Sequence, residues 1–461
     1  MRHHGRSVAV AVALAAVAGL AGCSSSGPGA PADAPSASSR PSTASPGPAA
    51  VSLVASTLEV PDGLAEGPFD RPRQVQIPSG WSMSLWARVD GARLEAWAPD
   101  GVLLVSRPGK GDVVRLQPGA TPTDLPTTTT LVSGLDQPHG LAFTGSTLYV
   151  AQSDEIDAYT YAGGAATGQR VVVDGLPDAK SPDLKGAYAH ALKSVAVGND
   201  GAVYYSIGST GNTSAEDRDA SPQRAAIYRV PPGGGEPTVY ARGVRNGTGL
   251  AVAPDGAVWT AVNNRDNIAY PFDQPYGDAD GSSYGDVIPA YVADHPAEEL
   301  AKLTAGRDLG WPFCNPDPDV QQGVAGTAYD DSAPPFVRDA QTNPDGSELD
   351  CATLPPIEQT FGAHSAPLGL SFADVPGVGV GALVGVHGSW NRQPPRPPEV
   401  SFFPAVGAGG LGEQQTLVGG FQAEDGSRWG RPVAAVLGPD GAVYVTDDAA
   451  GAVYRLARTG T

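Results

Sequence analysis

Residues 245–260 read RNGTGLAVAPDGAVWT. The second half outlines a hairpin: an apolar run, a turn at Pro254-Asp255-Gly256, and a second apolar run. Pro fixes one backbone angle and Gly accepts a positive one, so this order favours a tight turn. The first half is less ordinary. A cation and an amide, Arg245 and Asn246, stand directly ahead of a strand that reads as buried. The same arrangement returns in PHGLAFTGSTLYV, HALKSVAVGNDGAVYYSIG, HSAPLGLSF and RPVAAVLGPDGAVYVTD. Each phrase opens on or near His or Arg.

Working outward, the strand–turn–strand unit occurs at 98–106, 141–153, 194–208, 250–262, 368–386 and 434–447. Further strand pairs lie between the units, such as GDVVRLQP, AAIYRVPPGGG and GAVYRLAR. No convincing amphipathic helix of ordinary length is present. Six units of roughly 65 residues, each with four strands, predict an all-β, six-bladed β-propeller of four-stranded antiparallel blades. Closing the ring protects strand edges from raw exposure. A strand near RQVQIPSG, 73–80, is expected to complete the last blade. In a propeller the residue leading into each innermost strand sits at the mouth of the axis. His139, His190, Arg245 with Asn246, His364 and Arg431 are therefore expected on one face, as an anion or ligand site. The stretch 263–363 reads as a long irregular insertion on the propeller's rim.

The N-terminal end belongs to a different class of sequence. A basic start, a short apolar core and LAGC at 20–23 predict a lipoprotein signal over residues 1–22, with Cys23 carrying lipid. The apolar run falls short of the roughly 20 residues of a comfortable membrane span. Residues 23–50 continue as a tether of Ser, Pro, Ala and Gly, too poor in large apolar side chains to fold. The propeller is assigned to 51–461. Formal charge is −20, and loss of Arg2 and Arg6 with the signal would make it −22. Such a chain repels phosphate backbones, which argues against nucleic acid. Lipid on Cys23 would hold the exported protein at the outer face of the cell membrane. The remaining cysteines, Cys314 and Cys351, form an even pair in an oxidising compartment, so a disulfide is expected.

Several phrases together resemble the soluble quinoprotein glucose/sorbosone and pyranose dehydrogenases: AHALKSVAVGNDGAVYYSIGSTGN, GVRNGTGLAVAPDGAVW, LGWPFC, AHSAPLGLSF, GVHGSWNR and WGRPVAAVLGPDGAVYVTDDAAGAVYRL. The resemblance spans most of residues 75–458. It implies a six-bladed propeller using pyrroloquinoline quinone (PQQ) and Ca²⁺. It also implies His190 as catalytic base and Arg245 with Asn246 beside the quinone. Arg392 and Arg431 would take the cofactor carboxylates, flanked by His387 and Trp390. A calcium loop would fall on Asn263, Asn264, Arg265 and Asp266, using mostly backbone carbonyls. The chain departs from the glucose-oxidising members at Asn391, Trp429 and Arg265, and this leans toward the sorbosone or pyranose branch.

The residue chemistry agrees with these roles. A neutral imidazole can take a hydroxyl proton at ordinary pH. A guanidinium stabilises an oxygen that gains negative charge, and its planar fork suits carboxylates. His139 and His364 are further candidates for the pocket. Trp311, Phe313, Trp390 and Trp429 are aromatic groups available for stacking, and His295 reads as a surface loop residue. Asp447-Asp448 reads as a blade-end turn, since a glycosidase needs two carboxylates across one bond. No Gly-x-Gly-x-x-Gly motif opens a helix and no CxxCH occurs, so electrons would pass to an external acceptor such as a quinone or cytochrome. A calcium-dependent lactonase-type propeller and a non-catalytic sugar-binding propeller are the competing readings.

Overall fold

The computed structural model describes residues 51–460, and the signal, Cys23 and the whole tether lie outside them. Six antiparallel sheets follow one another along the chain, each starting at its innermost strand. The innermost strands are Glu95–Trp97, Leu141–Thr144, Val195–Val197, Gly249–Val252, Pro367–Val375 and Pro432–Leu437, for blades 1 to 6. This is the six-bladed propeller expected from the repeats. Among the described residues, no helix is long and apolar enough to cross a membrane.

The recurring Pro/Asn-Asp-Gly phrase forms the turn between the first and second strands. Gly101, Gly201, Gly256 and Gly441 hold φ of +78°, +83°, +87° and +78°, a region that side chains disfavour. The Asp caps its own turn: Asp200 Oδ1 accepts from Ala202 N at 2.9 Å, and Asp255 Oδ1 from Ala257 N at 3.0 Å. Second strands such as Val203–Ile207 and Val443–Asp447 are buried along their whole length because neighbouring blades cover both faces. Outermost strands such as Ala165–Val173 are mostly exposed or half-exposed. Innermost strands crowd the axis. A Cβ on Gly249 would lie 2.5 Å from Leu368 O, and one on Gly369 would lie 2.6 Å from Ala434 Cβ.

Two expectations need correction. The ring is closed by Trp81–Arg88, which pairs with Ala452–Arg458 of blade 6. Gln74–Pro78 instead pairs with Leu53–Thr57 as a separate ribbon. Trp81–Arg88 follows that strand after a two-residue turn and carries the apolar side chains that blade 6 buries. The stretch 263–363 also contains two strands of blade 4, Ala297–Leu303 and Gln359–Ala363. It is thus two excursions on either side of a blade strand, with one short helix, Pro289–Asp294. The second excursion holds the ribbon of Cys314–Pro316 with Phe336–Arg338, and the Cys314–Cys351 disulfide is present with 5.7 Å between Cα atoms.

Candidate active site

The loops entering the innermost strands carry His and Arg side chains. His190 enters blade 3, and its Nδ1 lies 3.1 Å from Ser209 O and 2.9 Å from Ser209 Oγ. A carbonyl can only accept, so Nδ1 carries the proton and Nε2 is the basic nitrogen. Burial, helped by the charge of Arg245, pushes the imidazole down to about 3, so it is neutral. Gly208 makes the close fit possible: a Cβ there would lie 2.6 Å from His190 Cβ and 3.3 Å from Asn246 Oδ1. His190 and Asn246 therefore meet across one glycine.

Arg245, 5% exposed, enters blade 4. It donates to Asn212 O (3.1 Å), Asn212 Oδ1 (3.1 Å), Asn263 O (3.1 Å) and Asn264 O (2.6 Å). Four of its five N–H groups are fixed in this way. Burial lowers it to about 10, so it remains a cation at neutral pH.

Across this cluster stands His364, which enters blade 5 with a φ of +56°. Its Nε2 lies 2.6 Å from Val292 O and its Nδ1 3.4 Å from Asp266 Oδ1. Burial opposes its protonation, but the Asp266 contact and the charge of Glu298 outweigh that and raise it. Burial likewise works against ionised Asp266, yet His364 and Arg245 hold that carboxyl below its ordinary range. Asn391 Nδ2 approaches Asp266 Oδ1 at 3.4 Å and Asn267 Oδ1 at 3.2 Å. Glu298, buried, is pushed up to about 8 and accepts from Ala366 N at 2.5 Å.

A second cluster gathers around Asp448. It accepts from Arg93 at 2.7 Å and faces His387 Nε2 at 2.7 Å. These partners outweigh burial and draw the Asp448 carboxyl down to about 2. Arg431 donates to His387 O at 2.9 Å and Gly388 O at 3.3 Å. Burial lowers Arg431, and the nearby charges of Arg428 and Arg93 lower it further. Three guanidinium groups thus stand together. Arg93 is the sixth member of the opening pattern, two residues ahead of blade 1's innermost strand, and the sequence reading missed it. Applying the cation-before-strand rule to RLEAW would have found it. Asp448 was read only as part of a turn. Its neighbour Asp447 does play that part, accepting from Ala450 N at 2.8 Å and Tyr454 OH at 3.0 Å.

Other expected members are placed differently. His139 is fully buried with Nδ1 3.2 Å from Lys193 O, and burial drives it down to about 3. Trp311 and Phe313 are buried, and Trp429 packs against Phe421 in blade 6's shell, so these three are packing groups. Trp390, 71% exposed, remains free to cover a ligand. Arg392 pairs with Asp294 at 3.3 Å. The Arg265 side chain is no metal ligand: its guanidinium turns inward to Asp339 and Gln341, where both ion-pair partners are almost fully buried. A cation cannot ligate a cation, and the buried carboxylate holds it there.

The donor set fits an anionic cofactor, because Arg431 and Arg428 are held by main-chain carbonyls and, among the described residues, only Arg93 of the three has a carboxylate ion-pair partner. It fits a carbonyl-bound calcium ion poorly. The Asn263 and Asn264 carbonyls already accept from Arg245, and Asn264 Oδ1 accepts from Arg265 N at 2.7 Å. Asp266 is the carboxylate of that loop.

Residues 75–459 match the TrAA12-like family model. The chain belongs to the TrAA12-like family. Its fold is similar to the PQQ domain of pyranose dehydrogenase from Coprinopsis cinerea, with a TM-score of 0.67 and 20% identity over 84% of this chain and 97% of that one. A calcium structure of the family AA12 enzyme of Trichoderma reesei gives a TM-score of 0.66 and 20% identity, covering 83% and 96%. The soluble aldose sugar dehydrogenase of Escherichia coli, in its apo form, gives 0.52 and 14%, covering 82% and 99%. A curated but uncharacterized protein of Borreliella burgdorferi is 32% identical over 99 residues, 20% of this chain and 26% of that protein. This TrAA12-like chain therefore matches only about a quarter of that curated relative's length.

Proposed function

We propose that this chain is a PQQ-dependent dehydrogenase of a sugar or related polyol or aldehyde, delivering electrons to an external acceptor such as a quinone or cytochrome. One observation carries the reading. A neutral histidine with its proton fixed on Nδ1 stands beside a buried guanidinium, on the same face as a cluster of arginines suited to an acidic cofactor. When bound, PQQ supplies an ortho-quinone that accepts a hydride. His190 Nε2 takes the hydroxyl proton of the substrate, while Ser209 keeps the ring in the right tautomer. Arg245, already held by four hydrogen bonds, offers a preorganised positive charge to an oxygen that becomes negative. Arg431, Arg93 and Arg428 orient carboxylates, and Trp390 shields the site from water. No step is routed through calcium. Membrane attachment through lipid on Cys23 belongs to the same proposal and places the site outside the cell.

The test is reconstitution of the purified protein with PQQ, with and without Ca²⁺, followed by a panel of aldoses, sorbosone-like aldehydes and polyols with a dye acceptor. Bleaching of the oxidised quinone band by at least one sugar supports the reading. A protein that binds no PQQ, or that hydrolyses lactones without it, overturns it.

A further inference from the structure

His295 was expected on a surface loop, and the structure buries it to 3% exposure. It follows the helix Pro289–Asp294 and faces the second excursion of blade 4. There the sequence runs Asn315-Pro316-Asp317-Pro318-Asp319. The two prolines keep the backbone extended, so the alternate residues 315, 317 and 319 share one side. His295 Nε2 lies 3.4 Å from Asp317 Oδ1 and 3.2 Å from Asp319 Oδ1. Both aspartates are buried, at 0% and 7% exposure.

Beyond these His–Asp contacts, several buried polar atoms here have no hydrogen-bond partner. His295 Nε2, Asp317 Oδ2 and Asp319 Oδ1 have no aligned hydrogen bond. The neighbouring Asn315, fully buried, donates its Nδ2 to Asp339 Oδ2 at 2.9 Å and leaves Oδ1 without a partner. The hydroxyl of fully buried Tyr291, whose ring stacks on His295 with 4.0 Å between centroids, has none either. Each such atom costs about 1–3 kcal/mol if nothing satisfies it, so a missing partner is the simplest account. With no ion in place, burial opposes a charge on His295 but the two carboxylates raise it to about 9; as a ligand the imidazole gives up that proton, and the set then sums to −2, the complement of a divalent cation. His295 Nδ1 is already held by Tyr291 O at 3.1 Å, which fixes Nε2 as the ligating nitrogen.

We propose that His295, Asp317 and Asp319 bind one divalent transition-metal ion, Zn²⁺ or Mn²⁺, away from the catalytic face. A nitrogen ligand disfavours Ca²⁺, which prefers oxygen alone. Ligands about 2.0–2.2 Å from a tetrahedral ion stand roughly 3.3–3.6 Å apart, close to the observed separations. An open cavity of about 870 Å³, lined partly by Asp317 and Asp319, supplies the path of entry. The ion's task is mechanical. It ties the NPDPD segment to the chain that backs the active face, where Val292 O meets His364 and Asp294 meets Arg392.

The experiment uses the full chain prepared without a polyhistidine tag. Metal analysis after dialysis should find about one zinc or manganese per chain, and chelation should lower Tm by about 3 °C or more, restored by one equivalent of that ion. Asp317→Asn with Asp319→Asn should abolish the retained metal. Should that variant fail to fold, Co²⁺ added to chelated wild type reports instead, through visible bands of a nitrogen- and oxygen-ligated ion. Wild type with no stoichiometric transition metal and no Zn²⁺ or Mn²⁺ effect on Tm overturns the proposal, leaving a His–Asp ion cluster. So does calcium as the only retained ion, or a folded variant that keeps the transition metal. None of these readouts depends on PQQ or sugar, so the result stands apart from the dehydrogenase reading.

Discussion

His190 and His364 occupy comparable places, each in a loop entering an innermost strand, yet they ionise in opposite directions. Both are buried, and burial opposes the charged form of each. What differs is the neighbour. At His190 burial, with Arg245 adding to it, drives the imidazole down to about 3. His364 faces Asp266 and Glu298 and is raised. One histidine is a neutral base, and the other has its protonated form favoured by a carboxylate. Position in the repeat brings a histidine to the site, and the charge across from it decides what it can do there.

The largest effect should come from the base itself. His190→Gln keeps a polar side chain of similar reach but no proton acceptor of comparable strength. The rate of quinone reduction by saturating sugar should fall about 10²–10⁴-fold, with PQQ affinity little changed. His364→Gln should cost far less, about tenfold, because it removes an ion-pair partner and leaves the base in place. Single-turnover bleaching of the quinone band compares the two. A His190→Gln protein within a factor of about three of wild type, or equal losses in both variants, would break the contrast. Gly208→Ala sharpens it: a Cβ 2.6 Å from that of His190 should displace the base and slow reduction without touching the imidazole chemistry.

Next in size is the arginine cluster. Arg431→Ala removes one charge-assisted anchor for a cofactor carboxylate, worth about 1.5–3 kcal/mol, or about 10–100-fold in PQQ affinity. Arg392→Ala should cost less, because Arg392 is already engaged by Asp294. Titration of each apoprotein with PQQ ranks them. Unchanged affinity in both variants would show that the acidic cofactor, if bound, is held elsewhere.

The same contrast explains what the sequence could disclose. The blade count was legible because Pro-Asp-Gly or Asn-Asp-Gly turns mark four of the six inner hairpins and other Gly turns mark the remaining two. The His or Arg ahead of five of the six inner strands was legible too, as was the Cys314–Cys351 pair. Charge states were not, because they depend on groups far away in the chain. Asp266 and His364 are 98 positions apart by number, and Arg93 meets Asp448 across the ring closure. The role of Arg265 was hidden for the same reason, since Asp339 lies 74 residues away. His295 looked exposed because DHPAEE is polar; the carboxylates that bury it come from the NPDPD segment further along.

The disulfide tests whether the excursions beside His364 matter to the site. Cys314 and Cys351 close a loop of sequence separation 37, and their removal should cost about 2–4 kcal/mol. Cys314→Ser with Cys351→Ser should therefore lower Tm by several degrees while leaving PQQ affinity within about threefold. Thermal melting and PQQ titration measure the two. A large loss of affinity with an unchanged melting point would mean that the bridge positions the site directly.

The smallest effect, and the finest test of the contrast, is one of pH. His364 is raised, so its ion pair with Asp266 is complete below its unfolded value near 6.5 and is lost as pH rises through the folded value. His190 is depressed to about 3, so the base stays neutral across the working range and gives no acid limb near 6.5. The rate of quinone reduction should therefore hold level down to mildly acidic pH and decline on the basic side. Asp266→Asn removes the strongest contact that raises His364. The basic limb should then move to lower pH. His190 should respond in the same direction but weakly, since Asp266 is only a minor influence on it and burial dominates. A full pH profile of single-turnover reduction in both proteins separates these outcomes. A limb that stays in place in Asp266→Asn would mean that His364 does not carry it, and Glu298, pushed up to about 8 beside Ala366, would be the group to replace next.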